Sequence, residues 1–260
     1  MAIVKNFAFT YTSFKRILSI LKENFSIHIF SHAGDIPKSN GIKPSVFLRH
    51  DVDLDLSFAL KMATIERDEE INSCYMIMVN SPFYSMREES SKSIINEIIK
   101  MGHEIGLHFD FENHQDRNDE LKIDTILDRL DSSCKILEEL TNTPILSLSF
   151  HRPLPQLLNG PIHIGNRINA YSAELMNWYL SDSRGTWREG NPLPLLAKPK
   201  NKILQLLIHP IWWDKEHLDA ADRLQKFYEI RTKDFTIEEK NKFDVLLSSH
   251  LSIQRSERNQ

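Results

Sequence analysis

The chain of 260 residues has only two cysteines, Cys74 and Cys134. That is too few for a disulfide framework, and both lie in stretches that read as buried, reduced core. There is no basic excess. The 32 Lys and Arg stand against 36 Asp and Glu, for a formal net charge of −4, so the electrostatic footprint of a nucleic-acid binder is missing. No apolar run approaches the roughly 20 residues that a membrane span needs, and no transmembrane segment is expected. Met1 to Lys22 has neither a continuous apolar stretch nor a small-residue cleavage site. No secretory signal is expected there, and the expected location is cytoplasmic. Internal repeats, low-complexity tracts and a linker rich in Pro, Gly or Ser are also absent. One domain over residues 1–260 is expected, with the residues before Ser45 as an N-terminal helix/strand addition.

What is present is alternation. Phe14 to Leu21 has helical apolar spacing, and Phe25 to Phe30 alternates like a strand. Ser45 to Arg49 reads as a strand that runs into His50-Asp51-Val52-Asp53. A helix over Leu56 to Glu69, a buried strand over Ser73 to Val79, a helix over Ser91 to Met101 and a short strand over Glu104 to His108 follow. Asp119 to Leu140 reads as a long amphipathic helix and Ile145 to Phe150 as a strand. Further on, Trp178 to Ser181 and Ile203 to Ile208 read as strands, and His217 to Ile230 and Ile237 to Ser252 as helices. Thr236 and Glu239 fit a capping box at the start of the last one. This order predicts an α/β fold with a parallel sheet covered by helices.

In such folds the loops at the carboxyl ends of the strands build the active site. Ionisable residues collect at that end: His50, Asp51 and Asp53, then His108 and Asp110, His151 and Arg152, Asp182 and Arg184, and His209 with Trp212. Side chains alternate across a strand, so Asp51 and Asp53 share a face and His50 points away. Two carboxylates on one face repel unless a cation sits beside them. His103 and His108 are five residues apart with Gly106 between them, which does not fit the zinc-binding helix with its four-residue spacing. On a strand they face opposite sides, so at most one joins the site, and His108 is nearer the strand's end. His151 and Arg152 are adjacent, and an ideal strand cannot aim both inward, although Pro153 ends the strand there. Trp212 and Trp213 beside His209 suit either a sugar-binding wall or the core.

Four segments occur in the order of the polysaccharide deacetylase superfamily, the chitooligosaccharide deacetylase homology domain. They are Leu48-Arg49-His50-Asp51-Val52-Asp53, Gly102-His103-Glu104-Ile105-Gly106-Leu107-His108, Ser149-Phe150-His151-Arg152-Pro153 and Leu207-Ile208-His209-Pro210. The chain resembles this family over roughly residues 45 to 213. More narrowly, it resembles a cytosolic-type branch associated with surface-polysaccharide biosynthesis, with Tyr179 to Gly190 matching a block of that branch. The resemblance implies a distorted (β/α) barrel with fewer than eight strands. It implies Asp51 as catalytic base, Asp53 and His108 as metal ligands, Arg152 as the residue that orients and ionises Asp51, and His209 as general acid. The family's second-motif histidine falls at Glu112 here, so His151 or His114 is the third ligand. His151 is favoured because a strand end is held more firmly than a loop.

The activity implied is hydrolysis of an N-acyl group, acetyl by expectation, from an amino sugar that is nucleotide-linked, lipid-linked or part of an oligosaccharide. The expected cofactor is a divalent metal, with zinc first among the ions an Asp and two His can hold. Asp182, Arg184, Trp187 and Trp212 are expected on the substrate side. Two other readings stay open: hydrolysis of a different amide or ester on the same scaffold, and a non-catalytic carbohydrate-binding protein with a decayed site. A non-haem iron oxygenase also uses two His and a carboxylate, but nothing here reads as an all-β barrel.

Overall fold

The computed structural model of the chain describes residues 7–35, 43–111, 123–200, 202–232 and 240–248. The elements are α1 (Tyr11–Asn24), β1 (Ser26–His28), β2 (Ser45–Val52), α2 (Leu56–Asp68), β3 (Cys74–Ile77), α3 (Glu89–Lys100), β4 (Glu104–Asp110), α4 (Ile123–Thr141) and β5 (Ser147–His151). Then come β6 (His163–Ile164), β7 (Arg167–Asn169), β8 (Trp178–Ser181), α5 (Leu193–Leu196), β9 (Leu204–Ile208) and α6 (Ala220–Arg231). Residues 240–248 are helical. The capping residues Thr236 and Glu239, the start of the long helix before Ile123, and both Glu112 and His114 lie outside the described residues.

The strands form one sheet in the order β6-β7-β5-β4-β3-β2-β9-β8, with β1 on the opening residues of β2. Every pairing is parallel except β6 with β7. The sheet curls into a half-barrel surrounded by helices, the distorted barrel that the family resemblance implies. Among the described residues it has nine strands rather than fewer than eight. The two that the sequence does not announce, β6 and β7, are two and three residues long, too short to leave an alternating pattern.

Local chemistry explains the framing elements. Thr10 caps α1 by accepting from the Ser13 amide, and Phe14, Ile17, Leu18 and Leu21 form its buried stripe. Their spacing is that of one helix face, and each such side chain contributes roughly 1.5–3 kcal/mol when buried. They pack on Val46 and Leu48, the outer face of β2. The inner face carries Phe47, whose ring stacks on Phe30 at 4.9 Å, and then Arg49 and Asp51. Asp55 accepts from the Ser57 amide at 2.7 Å and so starts α2 immediately beyond the acidic run. On β4, a Cβ at Gly106 would lie 2.4 Å from Met76 Sδ and 2.7 Å from Ser147 Oγ. The glycine is needed because two inward side chains already fill that space.

The outer face of β2 carries one buried polar group. His50 turns away from Asp51, as alternation requires, and its Nε2 meets Glu66 Oε1 of α2 at 2.6 Å. Glu66 Oε2 accepts from Ser73 at 2.6 Å and Tyr75 at 2.7 Å. His103 joins this network through Ser73 at 3.2 Å and the Ala63 carbonyl at 3.1 Å. Both histidines therefore serve the packing of α2 on the sheet. No described helix is long and apolar enough to cross a membrane.

Candidate metal centre and its acid–base groups

Because β2, β3, β4, β5, β8 and β9 run parallel, their carboxyl ends open on one side. Three residues on one face of β2 and its exit supply the first groups: Arg49, Asp51 and Asp53. Arg49 and Asp51 are sealed from water. Arg49 Nε donates to Asp51 Oδ1 at 2.7 Å and its Nη2 to Oδ2 at 2.6 Å. Arg49 is held in turn: Nη1 donates to Gln205 Oε1 at 2.7 Å, and Gln205 Nε2 donates to the Ala170 carbonyl at 2.7 Å. Burial alone would push the Asp51 carboxyl up, but the Arg49 guanidinium, with His108 and His209, holds it below its usual range.

Beside this pair, Asp53, His108 and His151 converge. Asp53 Oδ1 lies 3.2 Å from His108 Nε2 and 3.4 Å from His151 Nδ1. One ligand atom from each residue fits within 4.8 Å of the others. His108 Nδ1 is fixed by Ser149 Oγ at 2.6 Å, which leaves Nε2 facing the carboxylate. Parallel register explains the contact, since His108 and Ser149 are direct partners across β4 and β5. Asp53 Oδ1 is buried and has no hydrogen-bond partner among the described residues. An orphaned carboxylate oxygen flanked by two imidazole nitrogens is the donor chemistry of a divalent cation site. Burial would raise the Asp53 carboxyl, but the imidazoles of His151 and His108 beside it hold it well below the usual range. Burial would lower His151, but its contact with Asp53 and the charges of Asp53 and Asp110 together raise it.

The third part comes from β8 and β9. Asp182 is fully buried and accepts three hydrogen bonds: from the His209 amide at 2.9 Å, from His209 Nδ1 at 2.7 Å and from Trp213 Nε1 at 2.8 Å. Burial would lower His209, but the bond to Asp182 and the charges of Asp182, Asp53 and Asp51 push it up to about 9. An imidazole with Nδ1 fixed by a carboxylate keeps Nε2 for exchange with a substrate. His209 directly follows Ile208, the register partner of His50 on β2, and so stands next to the Asp51 end of that strand.

Several expected residues sit elsewhere. Both oxygens of Asp51 are taken by Arg49, while Arg152 is exposed with a left-handed backbone, φ 50°. The partner of Asp51 is Arg49 rather than the expected Arg152, because strand alternation keeps Arg49 on the face of Asp51. Trp187 stacks on Phe9 at 6.3 Å in the outer core, and Trp212 lies in that same core. Phe7 and Phe9 from the N-terminal segment cover Trp187, and Trp212 is buried. Asp182 is buried under His209 rather than open to a substrate. Arg184 is exposed on the turn after β8, with φ 62°.

Ser149, Tyr171 and Gln205 stand outside the site residues expected from the sequence, and Arg49 enters there only within the motif from Leu48 to Asp53, with no role of its own. Arg49 carried a usable signal, the i, i+2, i+4 spacing with Asp51 and Asp53. The other three reach the site only through register or from far along the chain.

No family profile matches the sequence, and a comparison with curated proteins finds no match. Among solved structures, the chain is similar to the peptidoglycan deacetylase PdaC from Bacillus subtilis. The identity is 11%, the TM-score 0.44, and the match covers 84% of this chain and 99% of that one. It is similar to a family 4 carbohydrate esterase from Bacillus anthracis at 12% identity and TM-score 0.42, covering 89% of this chain and 91% of that one. A third similar structure is the Streptococcus pyogenes deacetylase PplD in complex with acetate, at 14% identity and TM-score 0.40. That match covers 52% of this chain and 60% of the streptococcal one, so it spans less than two thirds of that protein.

Proposed function

We propose that the protein is a metal-dependent hydrolase that removes an N-acyl group, acetyl in the simplest case, from an amino sugar. The observation that carries this reading is the join between two groups of residues. His108 Nε2 lies 3.2 Å from Asp53 Oδ1 and 3.7 Å from Asp51 Oδ2. A ligand set and an arginine-paired base therefore share one wall, and His209 on its buried carboxylate adjoins the same strand end.

Asp53, His108 and His151 would hold the cation, with zinc favoured by the donor set. When bound, it lowers the pKa of water and polarises the acyl carbonyl. Asp51, kept anionic by Arg49, accepts the proton of the attacking water. His209, protonated up to about pH 9, donates its proton to the leaving amine nitrogen as the C–N bond breaks. One water and one amide become a carboxylate and an amine. Arg184 is the exposed residue of its turn that would meet a charged part of the substrate, such as a phosphate.

The reading of a decayed site rests on Glu112 standing where the family has its second-motif histidine. His151 argues against it, because it supplies a third donor within reach of Asp53. The test is direct. Purified protein loaded with zinc or cobalt should release acetate from an N-acetylated sugar nucleotide, a lipid-linked sugar or a chito-oligosaccharide. Absence of acetate release from all three, with no metal taken up, would overturn the reading in favour of a binding protein.

A further inference from the structure

Tyr171 lies two residues beyond β7 and is buried. Its amide donates to Asn169 Oδ1 at 3.0 Å and its carbonyl accepts from the Asn159 amide at 2.9 Å, so its backbone is pinned from both sides. The Arg49 guanidinium carbon stands 4.6 Å from its ring centroid, and Arg49 Nη2 donates to the phenol oxygen at 3.0 Å. That same nitrogen donates to Asp51 Oδ2 at 2.6 Å. The phenol oxygen and the base's outer oxygen thus flank one nitrogen, each taking one of its two hydrogens.

Arginine only donates. The phenol oxygen therefore accepts from Arg49, and its own O–H must point elsewhere. Among the described residues it has no acceptor. A buried hydroxyl with an unused donor costs free energy unless something else takes the bond. The phenol also stays protonated: burial and the nearby carboxylates of Asp51 and Asp53 raise it, against the lowering effect of Arg49.

We propose that Tyr171 is a catalytic residue whose phenol O–H donates a hydrogen bond to the substrate's acyl oxygen as that oxygen gains negative charge. This rests on the acyl-hydrolase reading above. Arg49 polarises the phenol from behind and thereby strengthens its donation in front. The residue would complete the stabilisation of a tetrahedral oxyanion from a loop that the recognised motifs do not include.

The test is Tyr171→Phe, which removes one oxygen and keeps the ring over Arg49. In zinc-loaded protein kcat should fall about 10²-fold, the scale for losing one oxyanion donor. KM, metal content and the acidic limb of the pH profile should stay in place. Binding of methylphosphonate, a tetrahedral oxyanion, should weaken about 10-fold, as for one lost hydrogen bond; this is read without turnover. Wild-type kcat and methylphosphonate affinity in the variant would overturn the proposal. A loss of kcat with the acidic limb moved upward would also overturn it, because the hydroxyl would then act only by positioning Arg49 on Asp51. If wild type neither turns over acylated sugars nor binds methylphosphonate, the hydrolase reading itself fails. An unaffected Tyr171→Phe in an active enzyme removes this residue alone.

Discussion

Arg49 and Asp51, two residues apart on one strand, form a two-point ion pair in which both side chains are buried, with N–O distances of 2.7 and 2.6 Å. A pair sealed from water is a poor device for stability alone, since desolvation offsets much of its attraction. It is a good device for keeping a base ionised and aimed.

Arg49→Lys keeps the charge and loses the planar fork. With one contact in place of two, the Asp51 carboxyl should rise towards its ordinary value. The sign follows from the depressed native pKa: weakening the cation favours the protonated, inactive base. The acidic limb of kcat should therefore shift to higher pH. At neutral pH kcat should fall about 10-fold or more for the loss of a charge-assisted bond. A pH–rate profile unchanged from wild type would detach Arg49 from the base.

His209 provides the opposite limb. Its pKa is raised to about 9, against about 6.5 for an unperturbed histidine. The protonated acid therefore persists through neutrality and is lost as pH rises through 9. Stability from this pairing is fully present below about pH 6.5 and declines as pH rises through the folded value. Asp182→Asn removes the carboxylate's charge while keeping an oxygen that can accept from His209, so the alkaline limb should move down towards neutrality. A limb that stays in place would assign it to another group.

Much of this arrangement can be read from the chain because strand alternation is a strict rule. It put Asp51 and Asp53 together and turned His50 away, and the structure has His50 against Glu66 on the far side. It separated His108 from His103 in the same way. The rule applies equally to Arg49, which stands in the motif from Leu48 to Asp53 but has no role of its own assigned by the resemblance. Arg152 drew attention through its neighbour Pro153, but a residue leaving a strand carries no fixed direction. Trp187 looks the same in sequence whether it faces a sugar or Phe9. Tyr171 and Gln205 lie 122 and 156 residues from Arg49, so only the folded sheet reveals their contacts.

Ser149→Ala tests the support of the metal centre without touching a ligand. The hydroxyl fixes His108 Nδ1 at 2.6 Å, and loss of such a partner typically weakens metal affinity 10–100-fold. Competition with a chelator dye should show that drop for zinc or cobalt, with His151→Ala weaker still. Equal affinity in Ser149→Ala and wild type would place the cation away from His108.

The central claim gives Asp51 the proton transfer and leaves the cation to Asp53, His108 and His151. The direct measurement is metal content and acetate release of Asp51→Asn beside wild type. The account predicts metal content equal to wild type and turnover reduced by about 10²–10⁴-fold, the range for a lost general base. Asp51→Asn that releases acetate at the wild-type rate, or that is inactive only because it has lost its metal, would contradict it.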